Sequence, residues 1–305
     1  MRRIILREPR PPRRILRRHP EARGPNAVAA GLLRGLDAIG QTVFVDRSDG
    51  LPLRSGDRVG VLSGPTHLRR HLQGPGPATD VRIVVGPNVC MRPTDIADVD
   101  WRRADAVVVP SPWVAEFWAD DAPQIADRIV VWAAGVDTEL WAPDEGASRT
   151  LGLVYDKGLG VRQTAAAVDA LARVGLEPRI IRYGEYRPRT YRSLLRRAAM
   201  MVWLSPSESQ GMALLEAWSA GVPTLCVDPV AWRASGAPPG LERSSPAPYL
   251  SASTGALVPD HEDMRSAAAA FAARLDDFEP RHAAVTRFSL AAAARSYLAI
   301  LDGAD

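Results

Sequence analysis

Residues 203–228 read WLSPSESQGMALLEAWSAGVPTLCVD, and the fold follows from this stretch. Met201–Leu204 is a short apolar run, the pattern of a strand covered on both faces. Ser205–Gly211 is small and polar, which predicts a loop at that strand's carboxyl end. Over 212–220, Met212, Leu215 and Trp218 share one buried face, and Gly221 and Pro223 stop the helix. Thr224–Val227 opens the next strand, completing a parallel βαβ unit. In open parallel sheets ligands sit beyond the carboxyl ends of strands, where a helix N-terminus offers N–H groups to an anion. Glu208 falls in that loop and Glu216 about one turn inside the helix. A carboxylate repels phosphate but accepts two O–H bonds, so it suits a vicinal diol. Diols beside phosphates describe a nucleotide sugar. Two solvated glutamates on an ordinary α/β loop account for the same spacing.

Composition sets the outer bounds. A chain of 305 residues suits two domains, and 46% hydrophobic with 24% charged residues is the balance of a soluble globular protein. Cys90 and Cys226 lie far apart in apolar surroundings and read as reduced thiols, with no CxxC spacing. No apolar run approaches the ~18 residues of a membrane span, and no apolar region follows Arg2–Arg3 as an export signal needs. The expected location is the cytoplasm. Net charge is only +3, yet within the first 23 residues nine arginines face only Glu8 and Glu21. That block suits an anionic acceptor, a phosphate or the inner membrane surface, and equally a solvated loop. It has no interleaved aromatics and no known nucleic-acid module, so no nucleic-acid partner is expected.

Ahead of the opening stretch, Arg3–Arg7 reads as a first strand. Val28, Leu32 and Leu36 then mark a helix that Gly40 closes, and Thr42–Val45 a second strand. No GxGxxG follows the first strand, which argues against a dinucleotide-dependent oxidoreductase. Further strands are expected at 58–62, 81–85, 106–109 and 128–132, with Ser111–Pro112 as an N-cap and N1 pair. His67 and His71 are four apart but lack the glutamate of HExxH, so no metal site is expected. Gly135 and Pro143 flank an acidic turn that reads as a hinge, which puts the domain boundary near Pro143 (1–143 and 144–305) and makes 144–149 a linker. The second half runs strand, Asp156–Lys157–Gly158, helix; then strand 179–183, the turn Gly184–Tyr186 and helix 191–200. A short strand at 255–259 precedes two alanine-rich helices, the last from about Ala283 to Leu301.

Four segments in order resemble the retaining GT-B glycosyltransferases of the large GT4-like group. They are Glu208–x7–Glu216 followed by Gly221–Val222–Pro223, the Gly135–Pro143 segment, Lys157–Gly158, and Gly255–Pro259. The resemblance covers roughly Arg128–Ala270 well and the first domain weakly. It implies an α/β GT-B fold: two Rossmann-like domains facing a central cleft, with the last helix crossing back to the first. It implies transfer of a sugar from a nucleoside-diphosphate sugar to an acceptor, with no metal or other cofactor. By the same resemblance, Glu208 contacts the transferred sugar, Glu216 holds the ribose, and the backbone of Ser209, Gln210, Gly211, Met212 and Ala213 reaches sugar or diphosphate. Lys157 binds the diphosphate, and strand 179–183 with the turn Gly184–Tyr186 meets the nucleobase, where Tyr183 or Tyr186 stacks on the base or simply packs. Gly24 and Asn26 form the first-domain turn that approaches the donor. His67 is the nearest candidate for the first-domain histidine that contacts the sugar. Two positions depart from the family pattern: Gln210 replaces an aromatic residue, and Gly152 replaces an arginine five residues before the lysine. A non-catalytic nucleotide-sugar-binding subunit is the alternative reading; a phosphorylase or sugar-nucleotide epimerase fits less well.

Overall fold

A computed structural model describes residues 3–8, 25–48, 50–73, 80–260 and 263–303. Gly24 and seven of the nine N-terminal arginines lie outside the described residues. The chain divides into two compact units, Met1–Gly135 with Leu290–Asp305, and Val136–Ser289. The sequence reading had put the boundary near Pro143.

The first unit is built on six parallel strands in the order β2-β1-β3-β4-β5-β6: β1 (Ile4–Arg7), β2 (Phe44–Asp46), β3 (Arg58–Ser63), β4 (Arg82–Asn88), β5 (Ala106–Val109) and β6 (Ile129–Val131). Ile5, Val59, Val61, Val85, Val107 and Val109 are buried in one cluster, as expected where helices cover a parallel sheet. Helix α1 (Pro25–Ala38) buries Val28, Leu32 and Leu36, and Gly40 closes it with φ 71°. The C-terminal helix Leu290–Asp302 packs along α1. A Cβ at Gly35 would meet the Leu290 carbonyl oxygen at 2.2 Å, so the crossing needs glycine there. Trp132 Nε1 donates to Ala293 O at 2.9 Å, and Tyr297 Oη donates to Gly86 O at 3.2 Å. Helices α2 (Pro65–Leu72) and α3 (Pro112–Asp121) complete this unit. Ser111 occupies the N-cap of α3, but its buried hydroxyl makes no capping bond.

The second unit has five parallel strands in the order β11-β10-β9-β7-β8: β7 (Leu151–Asp156), β8 (Glu177–Arg182), β9 (Ala198–Leu204), β10 (Thr224–Asp228) and β11 (Gly255–Pro259). Between them run α4 (Val161–Arg173), α5 (Pro188–Leu195), α6 (Met212–Ser219) and α7 (Val230–Ala234), and then α8 (Met264–Ala272) and α9 (Pro280–Phe288). The helix expected from Ala283 to Leu301 is in fact two. Val136 N donates to Phe288 O at 2.8 Å and Ser289 turns extended, which ends α9 before the last helix begins. Arg149, read as linker, is a clamp: its guanidinium donates to the Ala198, Ala220 and Gly221 carbonyls at 2.8–3.1 Å. It thereby satisfies carbonyls left open at the C-terminus of α6 and adds a favourable cation there.

Each sheet has a point where the chain reverses its direction of travel, between β1 and β3 in the first and between β7 and β9 in the second. Connections leave such a point in opposite directions and open a crevice at the carboxyl ends of the two strands.

Candidate functional site

In the second unit the crevice is where Lys157 and Glu208 meet. Lys157 follows β7, and its backbone N–H donates to Leu204 O at 2.8 Å, extending the ladder to β9. The side chain is thereby aimed across the strand ends. Its Nζ lies 2.7 Å from Glu208 Oε1 and 3.4 Å from Ser207 O, and 4.9 Å from the centre of the Tyr183 ring beyond β8. Ends of three neighbouring strands therefore converge on one ammonium group.

Glu208 is held from several sides. Its backbone N–H donates to Ser245 O at 2.8 Å. Its carboxylate, 12% exposed, accepts from Lys157, the Gly211 N–H and, at 3.5 Å, Ser205 Oγ. Burial raises the Glu208 pKa and outweighs the lowering by Lys157 and these donors, so its proton affinity stays above that of an ordinary glutamate. Gly211 caps α6 with φ 69°, the left-handed conformation that glycine adopts most readily. No side chain caps that helix N-terminus.

An aromatic wall lies beneath. Tyr155 stacks on Trp203 with ring centres 4.2 Å apart, a contact set by their pairing across β7 and β9. Tyr155 and Tyr186 share a hydroxyl hydrogen bond of 3.1 Å, and Tyr191 donates to Ala213 O at 2.8 Å. Burial, then neighbouring groups that include Glu216, raises the pKa of both Tyr155 and Tyr191. Glu216, half-buried on α6, therefore faces this same wall.

The structure thus gathers Lys157, Tyr183, Glu208, Gly211 and Glu216 on the second unit. Ser209 is exposed, Met212 and Ala213 are half-buried in the first turn of α6, and Gly184 follows Tyr183 in an exposed turn. Gln210 is 8% exposed, and neither atom of its amide has a hydrogen-bond partner. Asn26 and His67 belong to the first unit; Asn26 is the second residue of α1 and His67 is 5% exposed within α2. Gly24 lies outside the described residues.

Sequence reasoning passed over Tyr155 as a neighbour of the site, and read Ser205 only as the first residue of its loop. Tyr155 was detectable as an aromatic at the last apolar position of its strand, in the same place as Trp203 on β9. The Gly152 position has a steric reason. A Cβ there would meet Leu171 Cδ2 at 2.7 Å, so this strand position faces the packed side of α4 and has no room for an arginine. Cys90 and Cys226 are free thiols that burial pushes up to about 12, which makes them inert at neutral pH. Among the described residues, no group of three or more His, Cys, Asp or Glu could hold a metal ion, and no helix is long and apolar enough to cross a membrane.

The chain matches no protein-family model and no curated protein sequence. Its structure is similar to solved ones over nearly its full length. A glycosyltransferase involved in avilamycin A biosynthesis is matched with TM-score 0.60 and 14% identity, over 99% of this chain and 97% of that one. A glycosyltransferase from Rickettsia africae is matched with TM-score 0.62 and 11% identity, over 99% and 98%. A sucrose-phosphate synthase from Thermosynechococcus elongatus is matched with TM-score 0.57 and 14% identity, over 99% of both chains. At such identities the likeness concerns the fold. With two parallel-sheet α/β units aligned to these enzymes end to end, the chain has the GT-B fold.

Proposed function

We propose that this chain is a retaining glycosyltransferase that moves a sugar from a nucleoside-diphosphate sugar to an acceptor, without a metal ion. The observation that carries this reading is the Lys157–Glu208 pair beside the N-terminus of α6, at the reversal point of the second sheet. A diphosphate at that place meets a lysine ammonium and backbone N–H groups, fixed donors that stabilise the charge of a leaving group. Glu208, whose burial raises its proton affinity, is a strong acceptor for hydroxyls of the transferred sugar. Glu216 accepts from the ribose diol. Tyr183, 62% exposed, offers a ring face to the base. In a front-side displacement the acceptor oxygen bonds to the anomeric carbon on the face from which the phosphate departs. The acceptor's proton passes to the departing phosphate oxygen, so no protein nucleophile is required.

The test is turnover with UDP-, GDP-, ADP- and dTDP-sugars, with and without a chelator. Hydrolysis or transfer that survives chelation is expected from one base. Replacing Glu208 by Ala should lower kcat about a hundredfold or more, and Glu216→Ala should chiefly raise the donor KM. Wild-type kinetics in both variants would overturn the assignment.

A further inference from the structure

Lys157 and Glu208 hold each other at the place where a diphosphate would sit, and one ammonium group cannot fully answer both. Lys157 is 24% exposed, so an anion reaches it from solvent. Glu208 is 12% exposed and is not free to follow. Its backbone N–H donates to Ser245 O at 2.8 Å, and its carboxylate accepts from the N–H of Gly211, itself set in a left-handed turn at φ 69°. Ser205 Oγ is 3.5 Å from Glu208 Oε1 and closer, at 3.1 Å, to Ser207 O, where its single proton is better placed. Of these donors to Glu208 only Lys157 is charged.

A phosphate oxygen bonded to Lys157 Nζ at about 2.8 Å lies within roughly 6 Å of Glu208 Oε1, because Nζ and Oε1 are 2.7 Å apart. The ammonium then answers a ligand with two negative charges as well as the carboxylate. Taking the partner from a buried ion pair leaves the other charge uncompensated, and a carboxylate in that position takes a proton. The groups that face this corner from neighbouring elements are not cations. Tyr155 on β7 is within electrostatic reach of both Glu208 and Glu216, and burial keeps its hydroxyl neutral. Glu216 on α6 is a second carboxylate, Tyr186 is bonded to Tyr155, Tyr183 turns a ring to Lys157, and Ser245 offers a carbonyl. Burial already raises the Glu208 pKa with Lys157 in place.

We propose that a donor diphosphate draws Lys157 away from Glu208 and that Glu208 takes a proton from solvent in the same step, so that donor and proton bind together. The coupling rests on the reading of this crevice as a donor site. A neutral carboxyl donates to one sugar hydroxyl and accepts from another, where a carboxylate only accepts. Its pKa is then higher in the complex than in the free protein. Donor affinity is therefore full below the free protein's value, and is lost as pH rises from there through that of the complex.

The test is isothermal titration calorimetry of the full chain with UDP-, GDP-, ADP- and dTDP-glucose, each in two buffers of different ionisation enthalpy, between pH 5.5 and 8. A nucleotide sugar is a diphosphate diester with no group that titrates in this range, so a proton taken up goes to the protein. The donor that binds should bring in up to one proton, and its affinity should fall by as much as about tenfold per pH unit. Glu208→Gln should bind it with no proton uptake and a flat pH profile. Lys157→Gln should bind it more weakly and also without uptake, because Glu208 is then protonated beforehand. Wild-type binding without proton uptake, or uptake that Glu208→Gln retains, would overturn the proposal and leave the donor site standing. Failure of all four sugars to bind would overturn both.

Discussion

The two sheets reverse at equivalent points, and each places a cation there, but the cations have different fates. In the first unit Arg7 at the end of β1 is 2% exposed, ion-paired to Asp46 and donating to Leu51 O at 3.1 Å. Asp46 in turn accepts from the Ser48 and Leu51 N–H groups at 2.9 and 2.7 Å. That cation is consumed in holding β1, β2 and the following turn together. In the second unit Lys157 is 24% exposed and answers a carboxylate that its surroundings leave under-compensated. One arrangement is closed; the other leaves its lysine partly open to solvent. Topology supplies the location, and the side chains decide whether it becomes scaffold or site.

The two carboxylates also titrate in opposite senses. Burial pushes Asp46 up, but the Ser48 and Leu51 N–H groups and Arg7 together hold it well below the usual carboxylate range. Its contribution is therefore present above its unfolded pKa and lost as pH falls through the lowered folded value. Glu208 is raised on balance, so its contribution is full below its unfolded pKa and lost as pH rises through the folded one.

The largest expected effect is on the closed side. Arg7→Met leaves Asp46 buried without its cation and should cost about 3–5 kcal/mol of stability by denaturant titration, with donor affinity unchanged wherever the protein is still folded. An equal loss of donor affinity at full folding would break the contrast. Lys157→Met should cost less, about 1–3 kcal/mol, because its pair is partly solvated. It should also raise the Glu208 pKa further. Its Tm should then be higher at pH 5 than at pH 7.5 by more than in the wild type, and a flat profile would contradict the sign argued for Glu208. The smallest change is stabilising. Gln210→Met removes a buried amide that has no protein partner and should raise Tm by a few degrees, from about 1 kcal/mol. A loss of Tm would mean that the amide is satisfied in solution.

What was legible in the sequence follows the same division. The opening stretch could be read because strand, loop and helix are contiguous, and Glu208, Gly211 and Glu216 come from one loop and the helix that follows it. Lys157 was legible because it directly follows an apolar strand. Arg149 was not, since nothing local reveals that three carbonyls from two distant segments converge on it. Nor was the break at Ser289: alanine-rich sequence on both sides favours helix, and a backbone bond from Val136, far away in the chain, ends it. Gln210 was visible as a departure from the family pattern, but that its amide is buried without a partner required the structure.

The central claim is that the open reversal point binds the donor. The most direct measurement is thermal unfolding of the wild type and of Glu216→Ala with UDP, GDP, ADP and dTDP and their sugars. A ligand at 100 times its Kd adds about 2.7 kcal/mol to stability, and the account predicts such a shift with one base, lost in Glu216→Ala. Wild-type protein that shifts with none of them, or a shift that Glu216→Ala retains in full, would contradict it.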